Sequence, residues 1–184
     1  MTRTFVTLAA IHALALLITF GFGIEFMLER DSGAIAPTAD EPIRGGFAWH
    51  MVSGMVTAVF TLLVHCLIFT YFLGTGRWVK EVAGAYHLPD EPWPKLTREF
   101  KRTVFPPALF AMLSVIAAVA SGAGAQTASE SWWSWSHPVW AIIALVVNGW
   151  AYVIEYRTVA ANGKVMDEVM VEVEKRQRAS AGQA

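Results

Sequence analysis

Four histidines of this chain stand in apolar surroundings: His12, His50, His65 and His137. Imidazole changes charge near neutrality, and the lone pair of its neutral ring is a common metal ligand. The same ring can also hydrogen-bond between helices or pass a proton onward. His50 and His65 share the stretch Phe47–Leu73, which is long and apolar enough to cross a bilayer. An ionisable side chain inside a membrane span is costly and rarely faces lipid, so each such ring is a functional candidate. Fourteen residues separate the two, about 22 Å along a helix axis with an offset of roughly 60° around it. Both rings can therefore look into the same side of a helix bundle, near opposite membrane faces.

The elements that must position these rings follow from the distribution of charge. Of 184 residues, 55% are hydrophobic and only 16% charged, against about a quarter in soluble domains. The charges are excluded from long segments, the pattern of an integral membrane protein. The expectation is an all-α protein, a four-transmembrane-helix bundle over residues 1–162 with spans at about 5–27, 47–73, 104–123 and 138–156, followed over 163–184 by an amphipathic helix and a disordered tail. The first span reads as a retained helix, because more spans follow it and no small-residue cleavage site does. Net charge is −1, which gives no basic excess for nucleic acid. The lone cysteine, Cys66, forms no intrachain disulfide and reads as a small buried apolar residue. No CxxCH is present, excluding covalent c-type haem attachment.

Between the spans the punctuation is readable. Leu28–Gly46 carries Pro37, Pro42 and Gly45-Gly46, a polar loop. In Gly74–Thr103, Trp78, Val79, Val82, Ala83 and Tyr86 recur at helical spacing, which predicts a short amphipathic piece on the membrane surface. Pro106-Pro107 is expected in the first turn of the third span, and His137 and Pro138 at N-cap and N1 of the fourth. Trp132, Trp133 and Trp135 form an interfacial belt. Asn162-Gly163 is expected to interrupt the last helix, and Val165, Met166, Val169, Met170 and Val173 beyond it lie on one side. The small residues Ser121–Gly124 end the third span as a packing surface.

Small or polar residues also pick out the interior faces. His12 continues to Thr19 and Gly23; His50 and His65 share their face with Gly54, Thr57, Ala58 and Thr61. The fourth span aligns His137, Ala141, Ala144, Asn148, Ala151 and Glu155, the most polarised stripe in the chain. Lipid would penalise such a stripe, so it should face the bundle interior.

All Lys and Arg except Arg30 and Arg44 fall on the side of the termini, so the positive-inside rule places both termini in the cytoplasm. Counted from the span ends, His12 and His65 lie at matching depth, about 10 and 12 Å in from the cytoplasmic side. On the outer side His50 and His137 also match, to within about a turn. A haem iron takes two axial ligands, one on each face of the macrocycle. Antiparallel helices offering histidines at equal depth meet that need, with Gly23, Gly54 and Ala58 leaving room. The expected sites are thus a bis-His haem b between spans 1 and 2 on His12 and His65, and a second between spans 2 and 4 on His50 and His137, the inner pair preferred because His137 is shallow. Arg77, Lys80, Arg102 and Arg157 are available to haem propionates on the inner side, Arg30 and Arg44 on the outer.

The His50/His65 spacing on one span and the four-helix plan resemble the membrane dihaem b-type cytochromes. The chain departs from their commonest arrangement, in which two helices each donate both ligands; here the partners come from two different helices. The resemblance implies an electron-transfer subunit rather than a stand-alone enzyme, in a bacterial inner (cytoplasmic) membrane, working with quinone and a peripheral or membrane redox partner. The alternative is an accessory or structural subunit whose histidines make interhelical hydrogen bonds. A transporter or proton path using Glu25, Asn148, Glu155 and the histidines is a third class; no internal repeat or midplane helix break supports it. Metalloenzyme motifs such as HExxH are absent. His87 has no partner in this pattern and reads as a loop residue.

Overall fold

The structure, a computed structural model, describes residues 1–31, 45–127 and 132–182. Within them the chain is all-helical: α1 (Thr2–Asp31), α2 (Gly45–Ala85), α3 (Trp93–Thr127) and α4 (Trp132–Ala181). All four are long and apolar enough to cross a membrane. In hydrocarbon every backbone N–H and C=O must be satisfied within the segment, and the α-helix does so.

The helices run antiparallel to their neighbours. α1 packs on α2 and α4, α3 packs on α2 and α4, α2 and α4 approach across one diagonal, and the backbones of α1 and α3 stay further apart across the other. The bundle is polarised the opposite way from a soluble one. Leu14, Leu17, Val56, Val59, Leu63, Leu113, Ile142 and Val146 are exposed, whereas His12, Thr57, Thr61, His65, Asn148 and Glu155 are buried. An exterior of Leu, Val and Ile around a polar interior suits lipid as the surrounding solvent.

Two apolar layers flank this interior at the end where both termini lie. Phe5, Ala9, Ile68, Phe72, Val104 and Val159 form the first. Val79, Ala83 and Leu88 close on Val165, Val169 and Val173 in the second. The second layer explains where helix boundaries differ from the sequence reading. α2 has 41 residues and α4 has 50, about 60 and 75 Å at 1.5 Å per residue, far beyond the roughly 30 Å of hydrocarbon. The Trp78–Tyr86 piece is therefore, as far as Ala85, the unbroken continuation of α2, with its apolar stripe against α4 rather than on a membrane surface. Likewise α4 passes through Asn162 and Gly163 without interruption. A helical Gly costs only about 1 kcal/mol, and the buried valines on both sides of it outweigh that.

The prolines are also interior. Pro106 and Pro107 lie more than three turns into α3, and Pro138 lies inside α4 rather than at N1, with His137 no longer a cap. Each ring removes a bond to the carbonyl four residues earlier, here those of Arg102, Thr103 and Ser134, all exposed residues. Cys66 is exposed on the outer face of α2, not buried as its hydrophobic character suggests. α1 extends to Asp31, and the expected loop features Pro37, Pro42 and Arg44 lie outside the described residues.

α2 ends at Ala85, and two residues on His87, with a left-handed backbone (φ 52°), reverses the chain. The Leu88 N–H then reaches the Ala83 carbonyl at 2.8 Å. Arg176 of α4 donates to the Tyr86 and His87 carbonyls at 2.9 and 3.1 Å. A guanidinium thus covers carbonyls that the helix end leaves free.

Candidate functional site

Two polar sites occupy the interior, at the depths where the sequence places its histidine pairs. At the end opposite the termini, His50 on α2 meets His137 on α4 across the diagonal. Their Nε2 atoms are 3.5 Å apart, with ring centroids 5.8 Å apart and planes at 68°. His50 Nδ1 lies 3.1 Å from the Thr19 carbonyl on α1, and His137 Nδ1 lies 2.9 Å from the Ala118 carbonyl on α3. A carbonyl can only accept, so both Nδ1 atoms carry a proton. With both rings neutral, the two Nε2 lone pairs point at one another.

The rings have room because glycines back them. A Cβ on Gly23 would fall 2.9 Å from His50 Cε1, and one on Gly122 would fall 2.9 Å from His137 Cε1. Gly54, one turn along α2 from His50, has only the Thr19 methyl at 3.8 Å from the position of a Cβ. Ala58, a turn further, is half-buried.

The second site lies deeper toward the termini, and both of its imidazoles are fully engaged by protein partners. Thr61 donates its hydroxyl to the Thr57 carbonyl at 2.8 Å, so it accepts from His12 Nε2–H at 2.7 Å. His12 Nδ1 is then the acceptor for the Tyr152 hydroxyl. Thr19 and Thr57 extend this line, with their hydroxyls 2.9 Å apart. Asn148 donates its amide to the Ala144 carbonyl at 2.8 Å, so its Oδ1 accepts from His65 Nε2–H at 3.1 Å. His65 Nδ1 shares a proton with Glu155 Oε1 across 2.7 Å, both side chains being fully buried. The Tyr152 ring stacks on His65 at 5.7 Å and 11°, and stands edge-on to His12.

His12 and His65 are thus neighbours at one depth, as expected, but the structure does not set them face to face. Tyr152 contacts both, and all four of their ring nitrogens are engaged by Thr61, Tyr152, Asn148 and Glu155. The facing pair is the outer one. Its geometry meets a simple requirement: an iron with two axial bonds of about 2 Å needs nitrogens about 4 Å apart, and 3.5 Å is within a small movement of that. The Nδ1–H to carbonyl bonds are the outer-shell contacts that hold a ligating imidazole in tautomer and orientation. No group of three or more His, Cys, Asp or Glu is placed to hold a metal ion among the described residues. Two imidazoles alone suit a metal that arrives with four in-plane ligands of its own.

Sequence reasoning named the Asn148–Glu155 stripe but not its partners, and missed Tyr152 and Gly122. Gly122 stood only in a small-residue packing surface. Tyr152 lies one position from the stripe residue Ala151, and no periodic signal distinguishes it from other aromatics of the span. Comparison of the chain with protein families, characterised proteins and solved structures gave no match.

Proposed function

We propose that this protein is a b-type cytochrome-like electron-transfer subunit of a membrane complex, holding a haem b between His50 of α2 and His137 of α4. The observation that carries this reading is the pair of opposed Nε2 atoms 3.5 Å apart, each ring fixed by a backbone carbonyl. Bringing two lone pairs together is unfavourable unless a positive centre lies between them, and a bis-imidazole iron is such a centre. When bound, haem supplies one-electron chemistry at low reorganisation cost.

The chain's own residues do the rest. His50 and His137 would hold the haem through their Nε2 atoms from diagonal helices, so the site forms only when the bundle closes. The carbonyls of Thr19 and Ala118 hold the ring tautomers and raise ligand basicity. Gly23 and Gly122 keep side-chain bulk off the two rings. The exposed leucines, valines and isoleucines seat the bundle in lipid, and the Lys and Arg distribution favours termini in the cytoplasm of a bacterial inner membrane. Electrons would then come from a quinol-level donor and leave to a peripheral or membrane partner. The helical extension formed by α2, α3 and the end of α4 is the surface offered to that partner.

A second reading, an accessory subunit with structural histidines, draws on the saturated state of His12 and His65. It also weighs against a haem on that inner pair, where each ring would have to give up one of its two side-chain hydrogen bonds. Optical spectroscopy separates the readings. Protein purified from haem-replete cells should show a Soret band and a sharp reduced α-band, at one haem per chain. A colourless preparation would leave the structural reading standing.

A further inference from the structure

The His65–Glu155 pair plays no part in ligation at the outer site. It is fully buried, and a charged pair in a membrane interior brings a desolvation cost that close packing of apolar residues would avoid. Its second carboxylate oxygen, Glu155 Oε2, is buried with no hydrogen-bond partner among the described residues. Asn162, two turns along the same face of α4, also has its buried Oδ1 without a partner. Buried polar atoms are almost always satisfied, and a polar site between helices commonly uses water to do it. Both atoms lie on the stripe that leads from the pair to the end of the bundle where the termini lie. There Asn162 donates to the Tyr71 hydroxyl and to Thr75 Oγ1, at 2.9 and 3.1 Å.

We propose that His65 and Glu155 form a proton-binding site that exchanges with water from the end of the bundle bearing the termini, by way of the unpartnered Asn162 Oδ1 and past Val159 of the first apolar layer. With one proton between Nδ1 and Oε1, the pair is neutral whichever partner carries it. A second proton, delivered by water to Oε2, gives a carboxylic acid beside an imidazolium; its return to water restores the neutral pair. No electron moves in either step, so the site stands or falls independently of the haem. The groups around it are His12 from α1, Tyr71 from α2, and Tyr152 and Asn148 from α4. From α3 come the Ala111 carbonyl at 3.5 Å from Asn148 Nδ2 and, nearer the mouth, Lys101 beside Gly76.

The test is an infrared titration of the full chain in lipid nanodiscs, with ¹³C-labelled glutamate to identify carboxyl bands. The expected result is a Glu155 carbonyl band whose intensity follows pH within about pH 4 to 10 and which is lost in Glu155→Gln. Deuterium from solvent should reach this group in the native chain, and Asn162→Leu, which fills the path with an apolar side chain of similar size, should slow that exchange by roughly tenfold or more. Should Glu155→Gln fail to insert, Glu155→Asp, which keeps a carboxyl but takes it out of the ¹³C-labelled set, identifies the band instead. A Glu155 carboxyl fixed in one protonation state across that range, or exchange equally fast in Asn162→Leu, overturns the proposal.

Discussion

The Nε2 atoms of His50 and His137 face each other at 3.5 Å while each Nδ1–H is committed to a carbonyl on another helix, Thr19 of α1 for His50 and Ala118 of α3 for His137. All four helices therefore converge on one pair of rings. Two are needed to carry the imidazoles and two to aim them.

The ring planes are inclined at 68°. If that inclination is kept around an iron, the axial planes are closer to perpendicular than to parallel. The ferric protein should then give the strongly anisotropic low-spin electron paramagnetic resonance signal of crossed imidazoles. A rhombic signal of the kind parallel imidazoles give would show that the rings rotate on binding.

Gly23 and Gly122 are the two positions where a single methyl group would strike a ligand ring, in each case at 2.9 Å from Cε1. Overpacking of a tight interior costs about 1–3 kcal/mol. Gly23→Ala and Gly122→Ala should each lower bound haem and thermal stability by amounts in that range. Gly149→Ala, where a Cβ meets nothing within 4 Å, serves as the control and should leave both unchanged.

Removing one member of the inner ion pair should be worse than removing both. His65→Leu leaves the fully buried Glu155 carboxyl without its 2.7 Å partner, and breaking buried pairs this way costs about 3–5 kcal/mol. The double variant His65→Leu/Glu155→Leu should recover a large part of that loss. Unfolding of all three chains in mixed micelles is the measurement.

At the end of the bundle bearing the termini, Arg176 couples α4 to the end of α2 through the Tyr86 and His87 carbonyls. Arg176→Ala should cost about 1–2 kcal/mol, the range of a charge-assisted hydrogen bond in a partly exposed setting. Amide exchange should rise over residues 84–93 and stay unchanged around His50.

The connection between α2 and α3 carries its own pH signature. Arg98 donates to Asp90 at 2.7 and 3.1 Å and holds its carboxyl below the ordinary aspartate range. A depressed carboxyl contributes stability that is present above the unfolded value and fades as pH falls through the folded one. The pair is well exposed, so the effect on stability should be small and screened by salt. NMR titration should place the Asp90 midpoint below 3.8, the unperturbed value, and Arg98→Gln should return it there.

Much of this was legible in the chain. The four spans follow from apolar run length, and the interior stripe of α4 follows from a 3.6-residue period, because polar groups in lipid have one place to go. The equal depths of His50 and His137 were also readable. The partners of each ring were not, since counting residues gives depth but not which helices sit on the diagonal or which way a ring turns. His65 could not be seen to prefer Glu155 and Asn148 over His12 without that packing. The proline and glycine signals were over-read for a related reason. Their local cost at Pro106, Pro138 and Gly163 is set against packing with distant segments, such as Val79 against Val169, that no local window contains.

The most direct measurement is the reduced-minus-oxidised spectrum of the purified protein beside His50→Ala, His137→Ala and His12→Gln. Ligation across the α2–α4 diagonal predicts an α-band in the native chain that survives in His12→Gln and disappears in both outer variants. A band lost in His12→Gln but retained in His137→Ala, or no band in the native chain, would contradict it.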